Sequence, residues 1–452
     1  MSSTAPVEGK GKGASSGLAW VGVALAAVSI LFALLTIEHA IALAGGWLDL
    51  QTRVEAWLTS EAFIFGEGNI RYTVPWYESA LLRMTVHMAL GGVALGLGVL
   101  QFFPSLRRRY PKWHRASGVV AWIATLLSML GSLGFLAFVP MAKGSSGPAV
   151  HVGLWALTLL VLLLLWQAVL AAWSRDFRSH MIWMAMVFAG LATAPMLRID
   201  WIVFFPVIGS YGHEQVNLAV SAFVFMQTLA IMALWLSVVG DRDLRARPAG
   251  TSAWPRWLIL LLCTLSVLGA LQEGLLAPRG IGDPFGAWRG AGDRMSGAGV
   301  LWAIATIAAM LALPAAWRGA LEGKPLSRTT SAAVAAVAIG AVGIGLDYDR
   351  GALARFGSAY FWLGYGVFVA LALVFSHAIK PNSAGRNAWA LIALAALWLP
   401  SQLNGLLALG LAVGTTFAES MAQALVNGVG GIIVAGIATG FGARLRWRVT
   451  RP

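Results

Sequence analysis

Four histidines, one near the end of each of four consecutive apolar stretches, are the first chemical signal in the chain. They are His87, His114, His151 and His180. Imidazole nitrogens bind metals and the iron of haem, and they also carry protons near neutral pH. Six of the seven histidines fall in the first half of the chain. Histidine chemistry is therefore expected in that half.

The direction of each stretch sorts these histidines by side of the membrane. If the N-terminus is cytoplasmic, successive stretches cross alternately outward and inward. His87 and His151 then lie toward the outer side, and His114 and His180 toward the inner side. Alternate helices of a four-helix bundle face each other diagonally across the core. Each pair could therefore supply the two axial nitrogens of a b-type haem, with the flat ring between the helices.

Residues around the pairs agree with two haems. Gly91 and Gly118 each follow a histidine by four residues, where the lack of a side chain would let a ring approach the backbone. The flanking cations that could pair with haem propionates are Arg83 and Arg198 on the outer side, and Arg115 and Arg178 on the inner side. His114 and His180 lie at similar depths, so the inner haem is the better supported of the two. His87 lies about five residues deeper in its stretch than His151, a mismatch of roughly 7 Å.

Other interpretations of these residues stay open. Met84, His87 and Met88 share one helical face, and such a set of ligands suits copper. Histidines at membrane interfaces can also occur without any cofactor. Glu38 and His39 lie inside the first apolar stretch near the depth of the outer pair, where they could relay a proton from a quinol or could simply be hydrated.

The composition requires a membrane to position these residues. Of 452 residues, 58% are hydrophobic and 11% are charged, with a mean hydropathy of +0.75, which exceeds what a water-soluble core needs. About 20 apolar residues cross a bilayer as a helix. An all-α polytopic protein with about twelve transmembrane helices in a 6+6 arrangement follows. The predicted spans are 18–44, 79–104, 114–140, 149–173, 180–206, 214–240, 255–277, 297–317, 329–346, 357–379, 387–413 and 419–442.

The charge distribution predicts the topology. The chain has 32 Lys and Arg against 19 Asp and Glu, and most of the cations fall on the loops of one side. By the positive-inside rule both termini are cytoplasmic. The basic charge is thus a topology signal, and nucleic acid is not an expected partner. The first stretch is expected to be a span rather than a signal peptide.

The predicted spans and loops divide the chain into five parts. These are a cytoplasmic tail (1–17), a six-helix half (18–240) with the four-histidine core at about 79–206, a basic cytoplasmic linker (241–256), a second six-helix half of open role (257–442) and a basic cytoplasmic tail (443–452).

Two outer features carry alternatives. The segment GWLDLQTRVEAWL in the loop 45–78 is interpreted as an aromatic anchor at the outer interface, with an amphipathic helix in the same place as the alternative. Arg198 and Asp200 are expected to form a local salt bridge, with a clamp for a substrate or a propionate as the alternative.

Part of the chain resembles a known family. The segment HMALGGVALGLGVLQFFPSLRRRYPKWHRASG, followed by HVGLW, RSHMIWM and LRID, resembles a bacterial integral-membrane family of unknown function that shares a short helical core, over roughly 80–205. The interleaved histidines are also similar to the transmembrane diheme b-type cytochromes, which move electrons from ascorbate-like donors across membranes. That resemblance implies His87 with His151 as one axial pair, and His114 with His180 as the other. No ascorbate-site motif is present to carry over.

The expected function is transmembrane electron transfer through two b-type haems, which would make the chain a membrane oxidoreductase of cytochrome b type. Its partners would be the lipid bilayer, a quinone or small reductant, and other membrane subunits. One alternative is a proton-coupled transporter or permease in which the histidines carry protons. Another is an assembly or structural membrane factor without a cofactor.

Overall fold

A computed structural model of the chain describes residues 13–45, 49–65, 78–139, 147–208, 227, 230–237, 297–321, 324–347, 353–379 and 384–397. These residues form helices joined by short turns, and no strand occurs among them. The all-α prediction is therefore confirmed for the described ranges. The predicted spans 255–277 and 419–442, the linker 241–256, the tail 443–452 and most of the N-terminal tail lie outside the described residues.

Nine helices of the first half are described. They are α1 (Gly13–Gly45), α2 (Leu50–Leu58), α3 (Glu61–Phe65), α4 (Leu81–Leu100), α5 (Pro104–Arg109), α6 (Pro111–Phe138), α7 (Gly147–Trp173), α8 (Phe177–Leu191) and α9 (Thr193–Ile208). Prolines stand at the starts of α5 and α6, where a missing N–H costs nothing and the fixed φ suits the first turn. The predicted fifth span is broken. The segments Ser179–Leu191 and Thr193–Val203 meet at a bend of 46°.

Membrane crossing is supported by the length and composition of the helices. In the described part of the chain, Trp20–Gly45, Leu81–Leu100 and Pro111–Phe138 are long and apolar enough to cross a bilayer, and the bent α8–α9 pair would be a fourth span. Large apolar side chains such as Trp20 and Leu34 lie on the outside of the bundle, as lipid contact requires. A multi-span membrane protein is thus supported, and the count of twelve spans stays a prediction.

The first-half helices form a ring around the histidines. Helix α1 packs on α4, α4 on α6, α6 on α7 and α7 on α8, and α8 also packs against α4. This order of neighbours places α4 diagonally opposite α7, and α6 opposite α8. Those are the two helix pairs that carry His87 with His151 and His114 with His180.

The second half contains a further set of packed helices, and their buried side chains belong to the same hydrophobic cluster as those of the first half. They are α10 (Gly297–Leu321), α11 (Arg328–Asp347), α12 (Leu353–Ala378) and α13 (Ala384–Ala396). Each packs on the next, and α13 also packs on α10. The Tyr365 hydroxyl donates to the Ala396 carbonyl at 2.9 Å and ties α12 to α13.

Backbone contact at a glycine sets the approach of α4 to α6. A Cβ atom on Gly131 would lie 2.8 Å from the Arg83 carbonyl oxygen and 3.0 Å from the His87 nitrogen. The other side of α4 is equally close to α1, because a Cβ on Gly92 would lie 2.8 Å from the Ala33 carbonyl oxygen. Small residues allow such close crossings between membrane helices.

Replacing Gly131 by alanine is expected to destabilise the first-half bundle. The new methyl group would overlap backbone atoms of α4, which cannot rotate away as a side chain can, and overpacking costs about 1–3 kcal/mol. The matched control is Gly98→Ala on α4, whose methyl would meet the Phe188 ring at an ordinary 3.4 Å. Thermal unfolding in detergent should show a lower midpoint for Gly131→Ala only. Equal midpoints for the two variants would contradict the packing.

Candidate functional site

His87 is held by the helix that faces it. Its Nδ1 lies 3.0 Å from the Ser128 carbonyl oxygen on α6. A carbonyl only accepts, so Nδ1 carries the proton and Nε2 keeps the lone pair. The Ser128 hydroxyl donates to the His87 carbonyl at 2.7 Å, which closes a second bond between the same two residues.

His180 has the same arrangement on the inner side. Its Nδ1 lies 2.9 Å from the Ala168 carbonyl oxygen on α7, so its Nε2 also keeps the lone pair. The position of the ring in the first turn of α8 is fixed by a helix cap. The Asp176 carboxylate accepts from the Ser179 backbone N–H at 3.1 Å.

His114 presents a nitrogen without a hydrogen bond. The residue lies in the first turn of α6, and its Nδ1 is buried with no partner among the described residues. His180 is close enough for the charges of the two rings to interact, and Arg107 and Arg115 act on His114 as well. The structure thus brings the inner pair near each other on opposite helices, beside two cations.

The two outer histidines lie at different depths. His151 is buried, its Nε2 accepts from the Trp155 indole N–H at 3.2 Å, and its ring lies near the Leu136 backbone on α6. Leu136 follows Ser128, the residue that holds His87, by eight residues, or about 12 Å along α6. His87 therefore lies deeper in the membrane than His151, as the predicted helix ends indicate. The difference of about 12 Å is larger than the roughly 7 Å expected from the sequence. In this conformation the lone pair of the His151 Nε2 is already in use.

The outer arginines lie near the outer histidines. The Arg83 guanidinium lies over the Phe138 ring at 4.8 Å, at the outer end of α6. The charge of Arg198 acts on His87, and the Arg198 Nε lies 3.6 Å from the Glu55 Oε1 on α2. Arg198 therefore lies close enough to His87 for its charge to act there, and α2 supplies its counter-charge.

The inner cations come from two helices. Arg115 follows His114 directly, and Arg107 on α5 donates from Nη1 to the Met181 sulfur on α8 at 3.0 Å. Arg178 lies in the first turn of α8, and its side chain lies outside the described residues. Cations thus crowd the inner end of the α6–α8 pair.

The two glycines near the ligands face polar side chains of a neighbouring helix. A Cβ on Gly91 would lie 3.1 Å from the Ser128 Oγ, and a Cβ on Gly118 would lie 3.1 Å from the Gln101 Oε1. Gln101 in turn donates to the Ser117 hydroxyl at 2.9 Å. In this arrangement both glycines serve the contact between α4 and α6. The prediction that these glycines leave space for a haem ring is therefore wrong for this conformation, because neighbouring side chains already fill that space.

The outer loop contains the helix α2, as the amphipathic-helix alternative requires, but the face that it buries is mostly polar. Gln51, Thr52 and Glu55 are buried, whereas the Trp57 side chain is 83% exposed. The apolar face of α2 therefore points away from the bundle, toward the lipid interface. The spacing of Gln51 and Glu55, four residues apart, is the signal in the sequence that could have indicated a polar face turned inward.

Glu38 and His39 fasten α2 to α1. The Glu38 carboxylate accepts from the backbone N–H groups of Leu50 at 3.0 Å and of Gln51 at 3.3 Å, which caps the start of α2. The His39 Nδ1 lies 2.9 Å from the Asp49 Oδ1. These contacts give both residues a structural role. Their predicted role in a proton relay stays a prediction.

The two acids at α2 have opposite pKa shifts. Burial alone would raise the pKa of Asp49, but hydrogen bonds from His39 and Thr52 outweigh it and hold that pKa below its usual value. Burial raises the pKa of Glu55, and the Arg198 guanidinium opposes this shift. The contribution of Asp49 to stability is complete above its unfolded pKa, and it is lost only as the pH falls through the lowered folded value.

The predicted salt bridge between Arg198 and Asp200 is wrong. Arg198 pairs with Glu55, and the Asp200 Oδ1 accepts from the Gln227 Nε2 at 2.6 Å. The physical reason is helix geometry, because residues two apart point about 200° away from each other.

No metal site built on three or more His, Cys, Asp or Glu side chains occurs among the residues that the structure describes. The copper interpretation relies on Met84 and Met88 as ligands beside His87, so it stays a prediction.

The comparisons with known proteins cover the four-histidine core. Residues 84–236 match the family described as "Predicted membrane protein (DUF2306)", about a third of the chain. No curated protein and no solved structure matches the chain. The matched segment includes all four core histidines and Arg198. The chain is therefore similar, over its core, to a family of membrane proteins of unknown function, and the similarity adds no link to a cytochrome.

Replacing Glu38 by glutamine is expected to loosen α2. The neutral amide is a weaker acceptor for the two N–H groups, and a lost cap costs about 1 kcal/mol. Amide exchange over residues 49–58, followed by mass spectrometry, should become about five times faster. The control is Glu61→Gln, because Glu61 is an exposed acid at the start of α3. Unchanged exchange in Glu38→Gln would show that α2 does not depend on this carboxylate.

Proposed function

We propose that the α4, α6, α7 and α8 bundle is a b-type cytochrome core that carries electrons across the membrane. The inner haem would be held by His114 and His180, and the outer haem by His87 and His151. One observation carries the proposal. His87 and His180 each donate Nδ1–H to a backbone carbonyl of a neighbouring helix. That bond is the one that orients a metal-ligating histidine and directs the Nε2 lone pair toward the metal.

Of the two pairs, His114 and His180 have the ring nitrogens that are better suited to bind a haem iron. His114 and His180 lie on diagonally opposite helices, and the buried Nδ1 of His114 has no hydrogen bond within the described ranges. Arg107 and Arg115 provide positive charge beside the site, which suits the two propionates. When bound, a b-type haem supplies a one-electron carrier whose potential depends on its axial ligands and surroundings.

The outer pair would fit a haem only after a large change. Helix α7 would have to shift inward by about two turns to bring His151 to the level of His87, and His151 would have to release the Trp155 indole. We therefore propose that the inner haem binds more tightly and that the outer haem is more easily lost. A lipid-soluble quinol or a small reductant is the proposed electron donor, and a bacterial inner membrane is the proposed location.

A second candidate function is a proton-coupled transporter. It is favoured by Asp200, a buried carboxyl group on α9, in the bent pair of helices that would form the fourth span. Ionisable groups in such positions mark proton and substrate pathways. The 6+6 arrangement predicted from the sequence would provide the two lobes of such a transporter.

The two histidine pairs should appear as two spectral components. In protein purified in detergent from cells supplied with haem, His114→Ala and His180→Ala should each remove the same component of the dithionite-reduced spectrum. His87→Ala and His151→Ala should each remove the other. His377→Ala is the control, because His377 lies on α12 and contacts Ser331. Colourless wild-type protein, or His114→Ala with an unchanged spectrum, would refute the haem proposal.

Replacing Trp155 by phenylalanine is expected to increase the outer haem content. The change removes the indole N–H that occupies the Nε2 of His151 and keeps an aromatic ring in its place. The haem-to-protein ratio of the outer component should rise, and the inner component should stay the same. Trp173→Phe on the same helix, where the ring is exposed, is the control. A fall in the outer component would contradict the idea that Trp155 competes with the metal.

A further inference from the structure

Asp200 is a buried acid that the electron-transfer proposal does not use. Its side chain on α9 is 3% exposed, and its Oδ1 accepts from the Gln227 amide nitrogen at 2.6 Å. The remaining polar atom of each group, Oδ2 of Asp200 and Oε1 of Gln227, is buried and has no hydrogen-bond partner in the described chain. Buried polar atoms without partners are costly, so a pair of them in adjoining groups requires an explanation.

No cation of the described chain is placed to balance a charge on Asp200. Arg198 on the same helix pairs with Glu55 and donates to the Ala194 carbonyl. On α2, which packs against α9, the charged groups are Glu55 and the exposed Arg53.

The other elements around Asp200 add no counter-charge. On α8, which also packs against α9, His180 is hydrogen-bonded to Ala168 at the far end of the helix, and the Arg178 side chain lies outside the described residues. The helical residues 230–237, which follow Gln227, contain no titratable group.

A neutral carboxyl group satisfies both orphaned atoms at once. An ionised carboxylate in a low-dielectric site costs several kcal/mol unless it is paired, and a buried acid without a cation takes up a proton instead. The undissociated form of Asp200 gains one donor, an O–H at Oδ2, and the Gln227 amide offers its carbonyl oxygen next to its N–H. Two hydrogen bonds then close a ring between acid and amide.

We propose that Asp200 and Gln227 form a proton-binding site inside the membrane. Asp200 is undissociated, and its O–H donates to the Gln227 Oε1 while the Gln227 Nε2 donates to the Asp200 Oδ1. Deprotonation transfers this proton to a water molecule and leaves a carboxylate that keeps only the amide N–H as a donor. Proton release therefore requires water, or another base, to replace the Gln227 carbonyl. The site stands whether or not the chain binds haem.

Infrared spectroscopy of the full-length protein in liposomes at neutral pH tests the site. The spectrum of the wild type minus that of Asp200→Asn should contain the carbonyl stretch of an undissociated carboxylic acid, and this band should shift when H₂O is exchanged for D₂O. Glu61→Gln, which removes an exposed acid, should instead remove carboxylate bands. Loss of carboxylate bands in Asp200→Asn would overturn the proposal.

A second variant tests the partner and does not depend on Asp200→Asn. Gln227→Leu keeps the acid but removes both hydrogen bonds of the amide. The carbonyl band of Asp200 should remain and move to higher frequency, because a carbonyl without a hydrogen-bond donor has a stiffer C=O bond. A band at the unchanged frequency would show that Gln227 is not the partner, and an absent band in the wild type would show that Asp200 is ionised.

Discussion

The contact between α4 and α6 at Gly131 is the constraint on which the histidine site depends. Because Gly131 has no Cβ, the backbone of α6 lies directly against the Arg83 carbonyl and the His87 amide. At that separation the Ser128 carbonyl can accept from the His87 ring, and the Ser128 hydroxyl can reach the His87 backbone. The crossing of two helices thus determines both the depth and the tautomer of an imidazole. The tautomer of the His87 ring therefore follows from the packing of the two helix backbones.

Helix α6 also separates the levels at which the histidines lie. His114 stands in its first turn, His87 is bonded at Ser128, and His151 lies near Leu136. His114 and Ser128 are 14 residues apart, about 21 Å along the helix, within a hydrocarbon layer of about 30 Å. One helix therefore sets an inner level and an outer level. Ser128 and Leu136 are a further 12 Å apart along α6, so His87 and His151 lie at different depths.

The sequence predicts α4, α6 and α7 to within a few residues because a bilayer demands long apolar runs and charged loops. A continuous fifth span is predicted in place of the bend at Ala192, although Gly190 and Pro195 flank the break and are the signal in the sequence that could have indicated it. The sequence also allows an amphipathic helix at α2, but it does not indicate which face is buried. Lipid and protein can both cover the apolar face, and the spacing of the residues does not decide between them. The surroundings of Gly91 likewise depend on how two helices cross, which spacing alone does not contain.

Helix α2 is held to the bundle by a helix cap at its start and by an ion pair further along. At its start the Glu38 carboxylate from α1 satisfies backbone N–H groups, and one turn further on Glu55 is paired with Arg198 from α9. The ion pair neutralises a cation that would otherwise stand unbalanced beside His87, which matters at the edge of a low-dielectric layer. Lifting α2 would expose that cation and break the cap together, so the two contacts support each other.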